Sequence, residues 1–78
     1  MKIKQAKEYY ELEVLTGFDA IKDPNNEGQW LLVICGKGGR SWTAQTALGG
    51  AKSYAKLDTL VSDIEAICGR VSSLHVSL

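Results

Sequence analysis

Between Gly36 and Lys56 the chain carries four cations, Lys37, Arg40, Lys52 and Lys56, and no acid. Trp42 and Tyr54 are interleaved with them. Cations alternating with aromatics are how a sheet holds single-stranded nucleic acid, because charged groups pair with phosphates while bases stack on rings. Lys37, Arg40, Trp42, Lys52, Tyr54 and Lys56 are therefore a candidate nucleic-acid or anion contact. A structural role competes with it. A domain this small needs its aromatics inside, and the lysines would then be solvated.

The opposite charge precedes this span. From Glu8 to Glu27 six acids, Glu8, Glu11, Glu13, Asp19, Asp23 and Glu27, stand against one base, Lys22. Such a block forms a candidate acidic face that would steer a basic partner and raise its on-rate. The competing reading is cross-strand charge pairing between the two blocks, each pair contributing under about 1 kcal/mol.

The glycine-rich stretch Cys35-Gly36-Lys37-Gly38-Gly39-Arg40-Ser41-Trp42 raises phosphate binding and then argues against it. A phosphate loop requires G-x-x-x-x-G-K-[ST] leading into a helix, where backbone N–H groups converge on the anion. Here no hydroxyl follows Lys37 and the next segment is strand-like. The dinucleotide pattern G-x-G-x-x-G fails as well, since position 41 is serine. A hairpin turn using glycine at positive φ is the better reading, with Lys37 and Arg40 left to hold an anion weakly beside a backbone nest.

Catalytic and metal constellations are not legible. Cys35 and Cys68 lack C-x-x-C spacing and read as small buried hydrophobes. His75 is the only histidine, too few for a zinc set, and its register points away from a buried cysteine. No G-x-S-x-G elbow occurs. Glu11 and Glu13 share a strand face in this reading, but a small chain offers little cleft in which to desolvate them. The sequence predicts a protein that is not an enzyme and takes no cofactor and no metal.

Positioning these residues requires a fold, and the pattern supplies one. Tyr10, Leu12 and Val14 alternate with Glu11 and Glu13, which predicts a strand from Tyr9, extended or preceded by residues 2–7. Thr16-Gly17 interrupts it, and Phe18 to Lys22 resumes. Asp23-Pro-Asn-Asn-Glu-Gly28 is the strongest turn signal. Gln29 to Cys35 is continuously apolar and β-branched, so a central strand covered on both faces is expected. Gly36 to Gly39 then joins it to a third strand, Arg40 to Thr46. Leu48-Gly49-Gly50 is a hinge, and Ala51 to Tyr54 a short fourth strand.

Leu57, Leu60, Val61, Ile64, Ile67 and Cys68 form one apolar stripe at helical spacing, predicting an amphipathic helix over about 56–68. Asp58 suits its first turn, while Gly69 and Arg70 suit its end. Leu74, Val76 and Leu78 alternate with Ser73, His75 and Ser77 as a last strand. The expected fold is α+β: a small antiparallel sheet of four to five strands with one helix on one face, in the order β-β-β-(β)-α-β, as a single domain over 1–78.

The chain has 78 residues, with nine basic and nine acidic side chains. That balance disfavours a dedicated nucleic-acid binder, whose affinity rests on cationic excess. The longest apolar run, Trp30 to Cys35, is far short of a membrane span. The start lacks the apolar core of a signal peptide, so a cytoplasmic setting is expected. A chain this short has a marginal core, and a terminal strand at an open sheet edge would recruit partners. A homodimer through that edge is expected.

The function that fits is a non-catalytic binding module acting on another protein or on itself. Single-stranded DNA or RNA binding is the alternative. In size and charge style the chain is similar to accessory proteins of phages and mobile elements, including inhibitors of bacterial defence complexes, though no motif carries the likeness.

Overall fold

A computed structural model of the chain describes residues 1–69 and 74–77, the last three of these by their backbone alone. The elements run α1 (Ile3–Glu11), β1 (Leu15–Lys22), β2 (Trp30–Gly36), a 3-10 turn (Lys37–Gly39), β3 (Arg40–Thr43), β4 (Ser53–Tyr54), α2 (Leu57–Cys68) and β5 (His75–Ser77). This is an α+β fold in which the sheet order is β3-β2-β1-β5, with β4 also pairing β2. Arg70, Ser73, Leu78 and the side chains of His75, Val76 and Ser77, all given roles above, lie outside the described residues.

The β1–β2 and β2–β3 pairs are antiparallel, as expected. Tyr54 and Ser53 of β4 pair with Trp30 and Leu31 at the other end of β2, so β3 and β4 share one edge of the sheet. Gln45 and Ala51 bridge a short excursion between them, and Leu48 at its tip is 99% exposed. The predicted third and fourth strands are thus shorter than the sequence suggests, because the backbone leaves β2 after Ala44 and returns at Ser53. The last strand does take a sheet edge, but it runs parallel to β1. The helix α2 carries the chain across the sheet from one edge to the other, which a parallel pairing requires.

The segment before β1 differs from expectation: it is the helix α1, not a strand. The alternation of Tyr10, Leu12 and Val14 marks no buried face, since Tyr10 is 45% and Leu12 70% exposed. The periodicity that decides is Ile3, Ala6 and Tyr9, one residue per turn. Ala6 is fully buried, Ile3 packs on the core, and Tyr9 meets Trp42 edge-on at 5.6 Å. Lysine, glutamine, alanine and glutamate between them are all good helix formers.

Both helices lie on one side of the sheet. Ala6, Leu60, Ile64 and Ile67 from the helices join Ala20, Leu32, Ile34, Ala44 and Tyr54 in one buried cluster. The α2 stripe therefore packs as its spacing predicts. Gly69, at φ 76°, ends α2 in the left-handed conformation expected of it.

Candidate functional site

The strand register sorts the sheet's side chains onto two faces. Phe18 pairs with Ile34 and Ile34 with Trp42, while Ala20 pairs with Leu32. These residues point at the helices. Their alternates must point the other way: Asp19 and Ile21 along β1 with Asp23 just past its end, then Gln29 just before β2 and Leu31, Val33 and Cys35 along it. Ser41 and Thr43 of β3 and Ser53 of β4 join them by register.

Among the described residues no element packs on this second face. Ile21, Leu31, Val33 and Cys35 are half-buried, and none belongs to the core packing. Among the described residues the central strand is therefore covered on one face. A continuously apolar strand sequence cannot distinguish a second layer from an open apolar face. The open face has an aliphatic centre, Ile21, Leu31 and Val33, with carboxylates on its β1 flank and hydroxyls on its β3 flank.

Two polar groupings hold that face in shape. Asp23 is only 8% exposed. Its Oδ2 accepts from the Ser53 hydroxyl at 2.6 Å and from Asn26 Nδ2 at 2.9 Å, while its Oδ1 accepts from the Asn25 backbone N–H at 2.9 Å. These bonds, the one from Ser53 foremost, hold the carboxyl below the usual carboxylate range. Ser53 also lies 2.6 Å from the Gln29 side-chain amide. Asp23 thus fixes the β1–β2 turn and the β4 edge. On the same face the Cys35 thiol donates to Asp19 Oδ2 across 3.7 Å. Burial first, and then the Asp19 charge, push that thiol above its ordinary value, so it stays protonated at neutral pH.

The six basic and aromatic candidates do not form one surface. Tyr54 is buried in the core, and its hydroxyl donates to Asp63 Oδ2 at 2.6 Å. Lys52 Nζ reaches the same oxygen at 2.6 Å and sits 5.3 Å from the Tyr54 ring centre. Both residues are therefore ties between the β4 edge and α2, and Tyr54 has no face on which a base can stack. Lys56 is exposed just before α2.

Lys37, Arg40 and Trp42 do come together at the β2–β3 turn. Arg40 is exposed, its Nε donating to the Lys37 carbonyl at 3.0 Å and its guanidinium lying 5.5 Å from the centre of the half-buried Trp42 ring. The glycine loop is a hairpin, with Gly38 at φ 77° and Gly39 at φ 74°.

The acidic block is likewise divided. Asp19 and Asp23 belong to the open face. Glu27 is exposed in the β1–β2 turn, beside a depression of about 480 Å³ whose walls include Lys22, Pro24 and Trp30. Glu8, Glu11 and Glu13 lie at the C-terminal end of α1, where Glu11 and Glu13 border a second hollow of about 530 Å³ with Tyr10, Leu15 and Lys37. Lys37 thereby stands among the acids it was sequentially separated from. Cys35 and Cys68 are not disulfide-bonded to each other, and Cys68 Sγ donates to the Ile64 carbonyl.

Ile21, Leu31 and Val33 were missed as site residues. Their signal was present in the strand alternation opposite Ala20, Leu32 and Ile34, but the lack of a second layer among the described residues was not. No family model, curated protein or solved structure matches this chain. Among the described residues no helix is long and apolar enough to cross a membrane.

Proposed function

We propose that this protein is a non-catalytic interaction module that binds a protein surface through the open face of its sheet. The observation that carries the reading is the Ile21–Leu31–Val33 centre, presented on a five-stranded sheet with no covering element among the described residues. A contiguous apolar centre with a polar rim is the usual composition of a recognition surface. A cytoplasmic setting, and a role as an accessory or inhibitor protein of a phage or mobile element, belong to the same proposal.

The experiment compares wild type with Val33→Lys, a variant that changes the open face and leaves the helix-side core alone. Crosslinking and affinity capture from cells should give a specific protein, a second copy included, that the variant loses while its far-UV circular dichroism is unchanged. Equal capture by both forms, or no self-association and no capture by either, defeats the reading.

One observation favours nucleic acid as a second reading: Arg40 lies exposed over Trp42 with Lys37 beside it. Titration with labelled single- and double-stranded oligonucleotides separates the two. The module reading expects no binding at low salt. Salt-steep binding abolished by Arg40→Ala would transfer the assignment to nucleic acid.

A further inference from the structure

We propose that the open face is occupied by a second copy of this chain, the two sheets packing face to face about a two-fold axis parallel to β2. The inference rests on the interaction-module reading and names its partner.

The distribution of groups across the face is the first argument. Asp19 and Asp23 lie on the β1 side of Leu31 and Val33, and Ser41 and Thr43 lie on the β3 side. Within β1 to β4 no lysine or arginine shares the face of Leu31 and Val33. A two-fold axis along β2 sets the β1 flank of one copy over the β3 flank of the other. Asp19 then meets hydroxyl donors instead of its own like-charged image, and the aliphatic centres stack on each other. A two-fold interface must be self-complementary in this way. An axis across the strands would instead set the β1 flanks together and bring carboxylate onto carboxylate.

Area is the second argument. Strands about 4.8 Å apart and about 3.3 Å of rise per residue give the sheet a flat footprint of roughly 380 Å². Accessible surface exceeds the flat footprint, so two copies bury on the order of 1,000 Å², the low end for a specific interface. Aligned sheets pack about 10 Å apart, with their side chains interdigitated. A second sheet also enlarges the core, as a chain of this size requires.

The test is sedimentation equilibrium of wild type from about 1 µM to about 1 mM, a range that spans the dissociation constants such an area supports. A monomer–dimer equilibrium is expected. Val33→Lys at the centre and Thr43→Lys at the rim should each weaken it tenfold or more, while Leu48→Lys, away from the face, leaves it unchanged. Thr43 is on the surface, so its variant remains informative even if Val33→Lys fails to fold.

A monomer at every concentration overturns the proposal, and so does a dimer indifferent to both face variants. A monomeric protein that still captures a different protein through Val33 overturns the second-copy inference alone. A monomer that captures nothing overturns the module reading with it.

Discussion

Gly36 is glycine for a reason of space, not of dihedral angle. A Cβ there would lie 2.7 Å and 2.9 Å from two ring atoms of Trp42 and 3.3 Å from the Val14 carbonyl oxygen. Trp42 is thus laid across β2 at the one residue without a side chain, which is also what brings it to Tyr9 and under Arg40. Gly36→Ala should push the indole off its seat and cost about 1–3 kcal/mol, the range for overpacking a filled site. Urea unfolding measures the loss, and a red-shifted tryptophan emission locates it. At Asp23 the expected effect is on pH. Its native pKa is depressed, so it stabilises the fold fully above the unfolded value of about 3.9 and loses that contribution as pH falls through the lower native value. The stability gap between wild type and Asp23→Asn should therefore narrow on acidification below about pH 4. A gap that is constant from neutral pH downward would show that Asp23 is not held ionised by its turn.

The two helices differ in what secures them. The helix α2 has Asp58 in its first turn and glycine at its end, both suited to the helix dipole and its left-handed stop. The helix α1 has the reverse charge order, with Lys2, Lys4 and Lys7 at its start and Glu8 and Glu11 at its end. It also ends on a non-glycine left-handed residue, Glu13 at φ 60°, whose N–H donates to the Tyr10 carbonyl while Val14 donates to Tyr9. Glutamate there bears a steric cost of about 1 kcal/mol that glycine would not. Glu13→Gly should raise the melting temperature by about 4–8 °C, the shift that about 1 kcal/mol produces in a domain of this size. The tie from β4 to α2 makes the converse prediction. Asp63→Ala leaves the buried Tyr54 hydroxyl unpaired and should cost about 1–3 kcal/mol, and adding Tyr54→Phe should restore part of it in a double-variant cycle. These contrasts explain what was legible. Where local signals agreed with packing, as in α2, the hairpin glycines and the Asp23 turn, the sequence reading stands. Where tertiary packing overrode them, as in α1 against its own charges, it fails, and among the described residues no second layer lies over Leu31 and Val33. Lys52 and Tyr54 show the same limit for the site, since only the position of Asp63 reveals that they are already engaged.

At the scale of the whole molecule the segregated charges are partly brought together. Lys37 folds in beside Glu11 and Glu13, and Lys52 pairs with Asp63. Among the described residues nothing covers the open aliphatic face, and the second-copy proposal makes it a link between stability and concentration. If a second copy covers it, folding and pairing are coupled, because the unfolded chain has no sheet to pair. Each hundredfold rise in free partner above the dissociation constant then contributes up to about 2.7 kcal/mol. Wild type scanned at about 5 µM and about 500 µM should therefore differ in melting temperature by several degrees. Val33→Lys should show no such dependence, and at the lower concentration it should melt close to wild type, because its side chain never enters the helix-side core. A melting temperature independent of concentration in wild type would mean that the face is not closed by a second copy. A dependence retained in Val33→Lys would place the pairing elsewhere, at the β5 edge or on the β3–β4 excursion that carries Leu48.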